Sequence, residues 1–173
     1  MTPDKKAISH LATVAIENHT CICGFHWRYG FHMEEFYHKL IAPCFRQVWS
    51  LQVFRILQSP GMLFRTKLHG IGRHSLDEVA EFSFQDLDAL SVLLGDKPFF
   101  NGDTPSTVDC TVFGHLAQFL YLPMDIPQKE YIQKKCPNLA QFLDRMREKL
   151  WPDWEEMCDG KCMEGKRAPD LQN

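Results

Sequence analysis

His19, Cys23 and His26 are spaced i, i+4 and i+7, so a helix through them would set two imidazoles and a thiol on one face. Nitrogen and thiolate donors of that kind suit a soft metal such as zinc or cadmium. Against this, the same positions continue an apolar helical stripe, and a closed zinc site takes four ligands where only three are seen. The expectation is no metal site, with this trio as the one candidate. Cys21 and Cys23 are two apart and would point to different faces of a helix, which is not the arrangement of a C-x-x-C redox pair.

Gly70-Ile71-Gly72-Arg73-His74 stands before a helix start, where backbone amides and a guanidinium can hold a carboxylate or phosphate. Gly70, Gly72 and Arg73 are therefore a candidate anion site. No strand precedes them, which removes a dinucleotide-binding reading, and the competing expectation is an interhelical turn followed by a capped restart. Phe25, Trp27, Tyr29, Phe31, Phe36 and Tyr37 form an aromatic cluster suited to core or interdomain packing, or to an apolar substrate or partner. The seven cysteines, Cys44, Cys158 and Cys162 among them, are an odd number in a chain of 173 residues. They read as reduced thiols, not as disulfide staples.

The elements that must position these groups are helices. Asp4 to about Tyr29 has helical apolar spacing through Ile8, Leu11, Ala12, Ala15, Ile16, Ile22 and Cys23, with Asp4 as expected N-cap and Gly30 as expected stop. Glu34 to Ile41 reads as a short helix that Pro43 interrupts, and Phe45 to Leu57 resumes the pattern. A segment at Met62 to His69 leads to Ser75, which with Glu78 has capping-box spacing and opens a helix to Leu94. Ser106 and Asp109 open the next, with an expected buried stripe of Cys110, Phe113, Gly114, Ala117, Leu120 and Tyr121 and a close helix crossing at Gly114. Pro123 and Pro127 end it. Pro137 starts a last helix that buries Leu139, Phe142, Leu143, Met146 and Leu150. No segment alternates with period two. The predicted fold is all-α, a single helical bundle over 1–154 with a polar, disordered tail over 155–173.

Composition narrows the function classes. Apolar residues are 45% and charged residues 24%, which is ordinary for a folded globular domain. The 19 basic and 22 acidic side chains alternate in sign, so nucleic acid is not an expected partner. No apolar run reaches the roughly 18 residues that span a bilayer, and no signal-peptide pattern opens the chain. A cytoplasmic protein is expected.

Leu94-Gly95-Asp96-Lys97-Pro98-Phe99-Phe100-Asn101-Gly102-Asp103-Thr104-Pro105-Ser106-Thr107-Val108-Asp109 resembles the segment that closes one helix and opens a buried one in glutathione-transferase C-terminal domains. Lys135-Cys136-Pro137-Asn138-Leu139 with Phe142-Leu143-Asp144-Arg145-Met146 is similar to that family's closing helix. His69 to Ser75, Thr111 to Gln118 and Leu150-Trp151-Pro152-Asp153-Trp154 resemble the failed axon connections group, akin to metaxins and to cadmium-responsive transferase-like proteins of nematodes.

The resemblance implies a helical bundle that follows a thioredoxin-like domain, and that domain carries the family's catalytic residue and its cis-proline loop. No residue here corresponds to them, so no catalytic or cofactor-binding residue is expected, and glutathione enters only if such a domain is joined to this one. The implied role is a non-catalytic binding or scaffold domain. The alternative is the substrate-side half of a transferase-like enzyme of detoxification or cadmium response. A protein partner or the thioredoxin-like domain is the implied contact, a homo-oligomer is compatible, and a longer form could be membrane-associated.

Overall fold

The N-cap of the first helix is Thr2, not Asp4. The Thr2 hydroxyl accepts the Lys5 N–H at 3.4 Å, and Asp4 lies in the first turn, where its charge complements the helix dipole. The computed structural model describes residues 1–41 and 59–154. The predicted helix at Phe45–Leu57, its interruption at Pro43 and the tail over 155–173 lie outside the described residues.

Helix α1 (Pro3–Ala15) runs on without a break through a wider π turn (Ile16–Thr20), α2 (Cys21–Phe25) and a second π turn (His26–Phe31). The π turns replace i→i+4 bonds with i→i+5 bonds, as where Cys21 N–H donates to Ile16 and His32 N–H to Trp27. The rod therefore passes the expected stop at Gly30 and breaks at His32. It then resumes as α3 (Met33–Phe36) and a π turn (Tyr37–Ile41).

Helix α4 (Ser59–His69) packs on the end of this rod. It stops at Gly70, whose φ of 109° is open to glycine alone at little cost. A short 3₁₀ turn (Ile71–Arg73) leads to α5 (Leu76–Leu94). Ser75 and Glu78 form a reciprocal capping box there: Ser75 N–H donates to Glu78 at 2.8 Å, and Glu78 N–H to the Ser75 hydroxyl at 3.3 Å.

Helix α6 (Thr107–Leu120) is the buried centre. Its inward face is Val108, Asp109, Val112, Phe113, Leu116, Phe119 and Leu120. The expected stripe holds at Phe113 and Leu120 and fails at Cys110, which is exposed, and at Gly114, where a Cβ would meet nothing within 4 Å. The close crossing belongs to Gly24, where a Cβ would stand 2.6 Å from Phe119 Cε1.

Pro127 does not merely follow a helix end. It opens α7 (Pro127–Lys135), which the sequence reading lacked, and α8 (Pro137–Leu150) closes the bundle. Leu139, Phe142, Leu143 and Met146 are fully buried, whereas Leu150 is exposed. One core cluster joins α1, α5, α6, α7 and α8, with Trp151 stacked on Phe113 at 4.9 Å. Among the described residues there is no strand, only an isolated bridge between Phe99 and Gly102.

Candidate functional site

The candidate metal trio is dispersed. His19 Nδ1 lies 2.7 Å from Asp86, which also accepts the Thr20 hydroxyl at 2.6 Å. Cys23 is buried with Ile22, Ile71 and Val79, and burial, reinforced by Asp86, pushes its thiol up to about 12. His26 Nδ1 lies 3.1 Å from the Thr66 hydroxyl on α4. Among the described residues no group of three His, Cys, Asp or Glu is placed to hold a metal ion. The i, i+4, i+7 argument assumes one regular helix, and two π turns interrupt it.

Gly70, Gly72 and Arg73 form the turn that closes α4. Gly70 N–H donates to Thr66 and Lys67 carbonyls, and Arg73 Nε donates to the Lys67 carbonyl at 3.2 Å. A Cβ on Gly72 would fall 2.7 Å from Lys67 N, so the turn presses on the helix end. The following α5 N-terminus already has its carboxylate, that of Glu78.

The aromatic cluster divides. Phe36 and Tyr37 are buried with Met33 and Met124, Trp27 stacks on His32 at 3.8 Å, and Phe31 is exposed. Arg28 is buried beside it, donating to Gln118 at 2.9 Å and lying over the Phe36 ring.

Ser106 and Asp109 hold the loop before α6. The fully buried Asp109 carboxylate accepts the Ser106 N–H at 2.8 Å and the Ser106 hydroxyl at 2.6 Å through Oδ2. Its Oδ1 accepts the Phe100 N–H at 2.8 Å. Three donors satisfy a carboxylate that would otherwise be costly inside a core. Held this way, Phe100 sets its ring edge-on to Phe142 at 5.4 Å. Asn101 reaches back to α1: its Nδ2 donates to Ser9 at 3.0 Å, and its carbonyl accepts from Lys5 Nζ at 2.9 Å.

These contacts shape an open groove of ≈ 230 Å³ between α1, the end of α5 and the start of α6. Ile8, Ala12, Leu93, Phe100 and Val108 give it apolar walls, and Lys5, Ser9, Lys97 and Asn101 its polar ones. Lys97 Nζ donates to the Leu93 and Phe100 carbonyls at 2.7 and 3.1 Å. Neither Lys5 nor Lys97 forms an ion pair with a carboxylate among the described residues. Ile8, expected inside, is 47% exposed and lines this groove, and Leu11, also expected inside, is 66% exposed. Sequence reasoning missed it, because Ile8 reads as core by its helical spacing; the retrievable signal is Lys5 one turn before the apolar pair Ile8 and Ala12.

The thiols and phenols with shifted values among the described residues are pushed away from their reactive anionic forms. Burial raises Cys21, and burial with Asp88 pushes Cys136 up to about 11 and Tyr131 up to about 12. Tyr121 is raised by burial and by its bond to Asp144.

An all-helical bundle with a buried central helix opened by a Ser-x-x-Asp box is the architecture of a glutathione-transferase C-terminal domain. The family described as Glutathione S-transferase, C-terminal domain, matches residues 84–146. The chain is similar to Failed axon connections of Drosophila melanogaster, with 35% identity over 170 residues, 91% of this chain and 40% of that protein. It is also similar to Isoprene-epoxide--glutathione S-transferase of Rhodococcus sp. (strain AD45), with 41% identity over 78 residues, 45% of this chain and 32% of that one. Metaxin-2 of Mus musculus is 33% identical over 90 residues, 52% of this chain and 34% of its own length. No solved structure matches. Residues 84–146 thus match a glutathione S-transferase C-terminal domain, and the chain is similar to Failed axon connections and to a metaxin. It spans less than half the length of each of these relatives. No helix among the described residues is long and apolar enough to cross a membrane.

Proposed function

We propose that this chain is a non-catalytic binding or scaffold domain whose contact surface is the groove beside α1. The observation that carries the reading is the lining of that groove, apolar walls with the Lys5 and Lys97 ammoniums bonded to carbonyls alone. The complementary partner is a polypeptide segment presenting an apolar side chain between carboxylates. It belongs to another protein or to a thioredoxin-like domain joined to this one in a longer form. Similarity to metaxins and to Failed axon connections supports a protein-contacting role. Glutathione enters only with such a domain; the setting is cytoplasmic, with membrane association confined to a longer form, and self-association is a further use of the same face.

A second reading, the substrate-side half of a transferase-like enzyme, is favoured by the similarity to the isoprene-epoxide transferase. Two measurements test the readings. Calorimetric titration of the purified chain with glutathione, beside a conjugation assay on an aryl halide, is expected to give no saturable binding and no turnover, since glutathione enters only with a thioredoxin-like domain; either one would overturn the non-catalytic reading. Fluorescent peptides carrying one leucine between glutamates are expected to bind the parent and to lose affinity with Lys5→Glu or Ile8→Glu. Equal affinity for parent and variants would overturn the groove as contact surface.

A further inference from the structure

A small cavity of ≈ 10 Å³ separates the first rod from α7, lined by Gly24, Trp27, Arg28, Phe119, Met124 and Gln128, among others. Two of these residues bring buried polar atoms that have no partner among the described residues, Trp27 Nε1 and Gln128 Oε1. Gln128 is fully buried. A buried donor or acceptor without a partner carries its desolvation penalty uncompensated, so two of them on residues lining one cavity mark a ligand position.

The orientation of the Gln128 amide is fixed by its neighbours. Its Nε2 donates to Ser83 Oγ at 2.9 Å, and the Ser83 hydroxyl donates to the Ala80 carbonyl at 2.6 Å. Turning the amide over would set Oε1 against a serine whose only proton is committed. The carbonyl oxygen is therefore the amide atom left without a partner, and it requires a donor. The indole N–H can only donate and requires an acceptor. The indole is itself held in place by its stack on His32, 3.8 Å between centroids and 7° from parallel.

An anion would satisfy Trp27 and the Arg28 guanidinium that shares the cavity, but it would turn lone pairs toward Gln128 Oε1. A cation would satisfy Gln128 and oppose Trp27 and Arg28. Only a neutral species that both donates and accepts meets both atoms, and a cavity of this size holds a single water. We infer that this cavity is a binding site for one water molecule, which accepts from Trp27 Nε1 and donates to Gln128 Oε1. The water joins the first rod to α7, two elements the sequence sets about a hundred residues apart. It fills polar valences that the apolar walls, Phe119 and Met124, cannot.

The test is a water-to-indole nuclear Overhauser experiment on the folded chain, with a count of long-lived waters by oxygen-17 relaxation dispersion. The expected result is a cross-peak from the Trp27 indole proton to a slowly exchanging water. In Trp27→Phe or Gln128→Met, whichever folds, the dispersion amplitude falls by one long-lived water. A crystal structure would place one water within hydrogen-bond distance of both atoms. An indole proton with no bound-water contact, or a direct Trp27 to Gln128 hydrogen bond in that crystal structure, overturns the inference, and neither observation needs the variants to fold.

Discussion

The Asp109 carboxylate, with no exposure to solvent, holds the backbone N–H of Phe100 at 2.8 Å across the turn that precedes α6. One side chain therefore caps the central helix and fixes the loop whose phenyl ring walls the groove. Asp109→Ala removes the cap and strands the Phe100 and Ser106 amides, so a loss of about 2–4 kcal/mol is expected. A denaturant midpoint equal to that of the parent would contradict it.

Two glycines should respond oppositely to the same change. Gly24→Ala drives a methyl to 2.6 Å from the Phe119 ring, where ordinary contact begins nearer 3.4 Å, and is expected to cost about 1–3 kcal/mol. Gly114→Ala meets nothing and gains about 0.5–1 kcal/mol of helix stability. Thermal melts of the two variants should move in opposite directions.

Much of the bundle was legible in the sequence because caps and prolines are local signals. Ser75 with Glu78, Ser106 with Asp109 and Pro137 each depend on residues within a turn of one another. The face of α6 was not legible, since Val108, Cys110, Val112, Phe113, Leu116, Ala117 and Phe119 put apolar groups nearly all round it, and periodicity then selects no side. Bulk decided, turning Val112, Leu116 and Phe119 inward and leaving Cys110 and Gly114 outside. The groove was hidden for another reason: its walls come from residues some ninety positions apart, Lys5 and Ser9 against Leu93 to Asn101.

Burial, and then the Lys67 ammonium, hold His26 below the ordinary imidazole range. The unfolded chain therefore takes up a proton at about pH 6.5 that the folded chain resists, and stability must fall as pH drops below that value. Unfolding free energies at pH 7.5, 6.5 and 5.5 should decline more steeply for the parent than for His26→Gln. Parallel profiles would mean that His26 titrates alike in both states.

Cysteine reactivity should follow burial. Cys110 is exposed, whereas Cys23 and Cys136 are fully buried and held up to about 12 and about 11. Brief alkylation at pH 8 followed by peptide mass spectrometry is expected to label Cys110 before Cys23 and Cys136, which stay protected until denaturant is added. Early labelling of Cys23 would show that the contact of α2 with α5 opens readily.

Helix α1 buries no side chain before Ala12, so its first turns are tied down by the Lys5 and Ser9 contacts to Asn101 and little else. The wall of the groove is thus the part of the bundle least expensive to peel away, a hinged flap and not a fixed jaw. A partner that settles against it gains affinity only after stilling that flap. Its arrival should be heard first as slowed amide exchange in Lys5 to Leu11, before any change in the core.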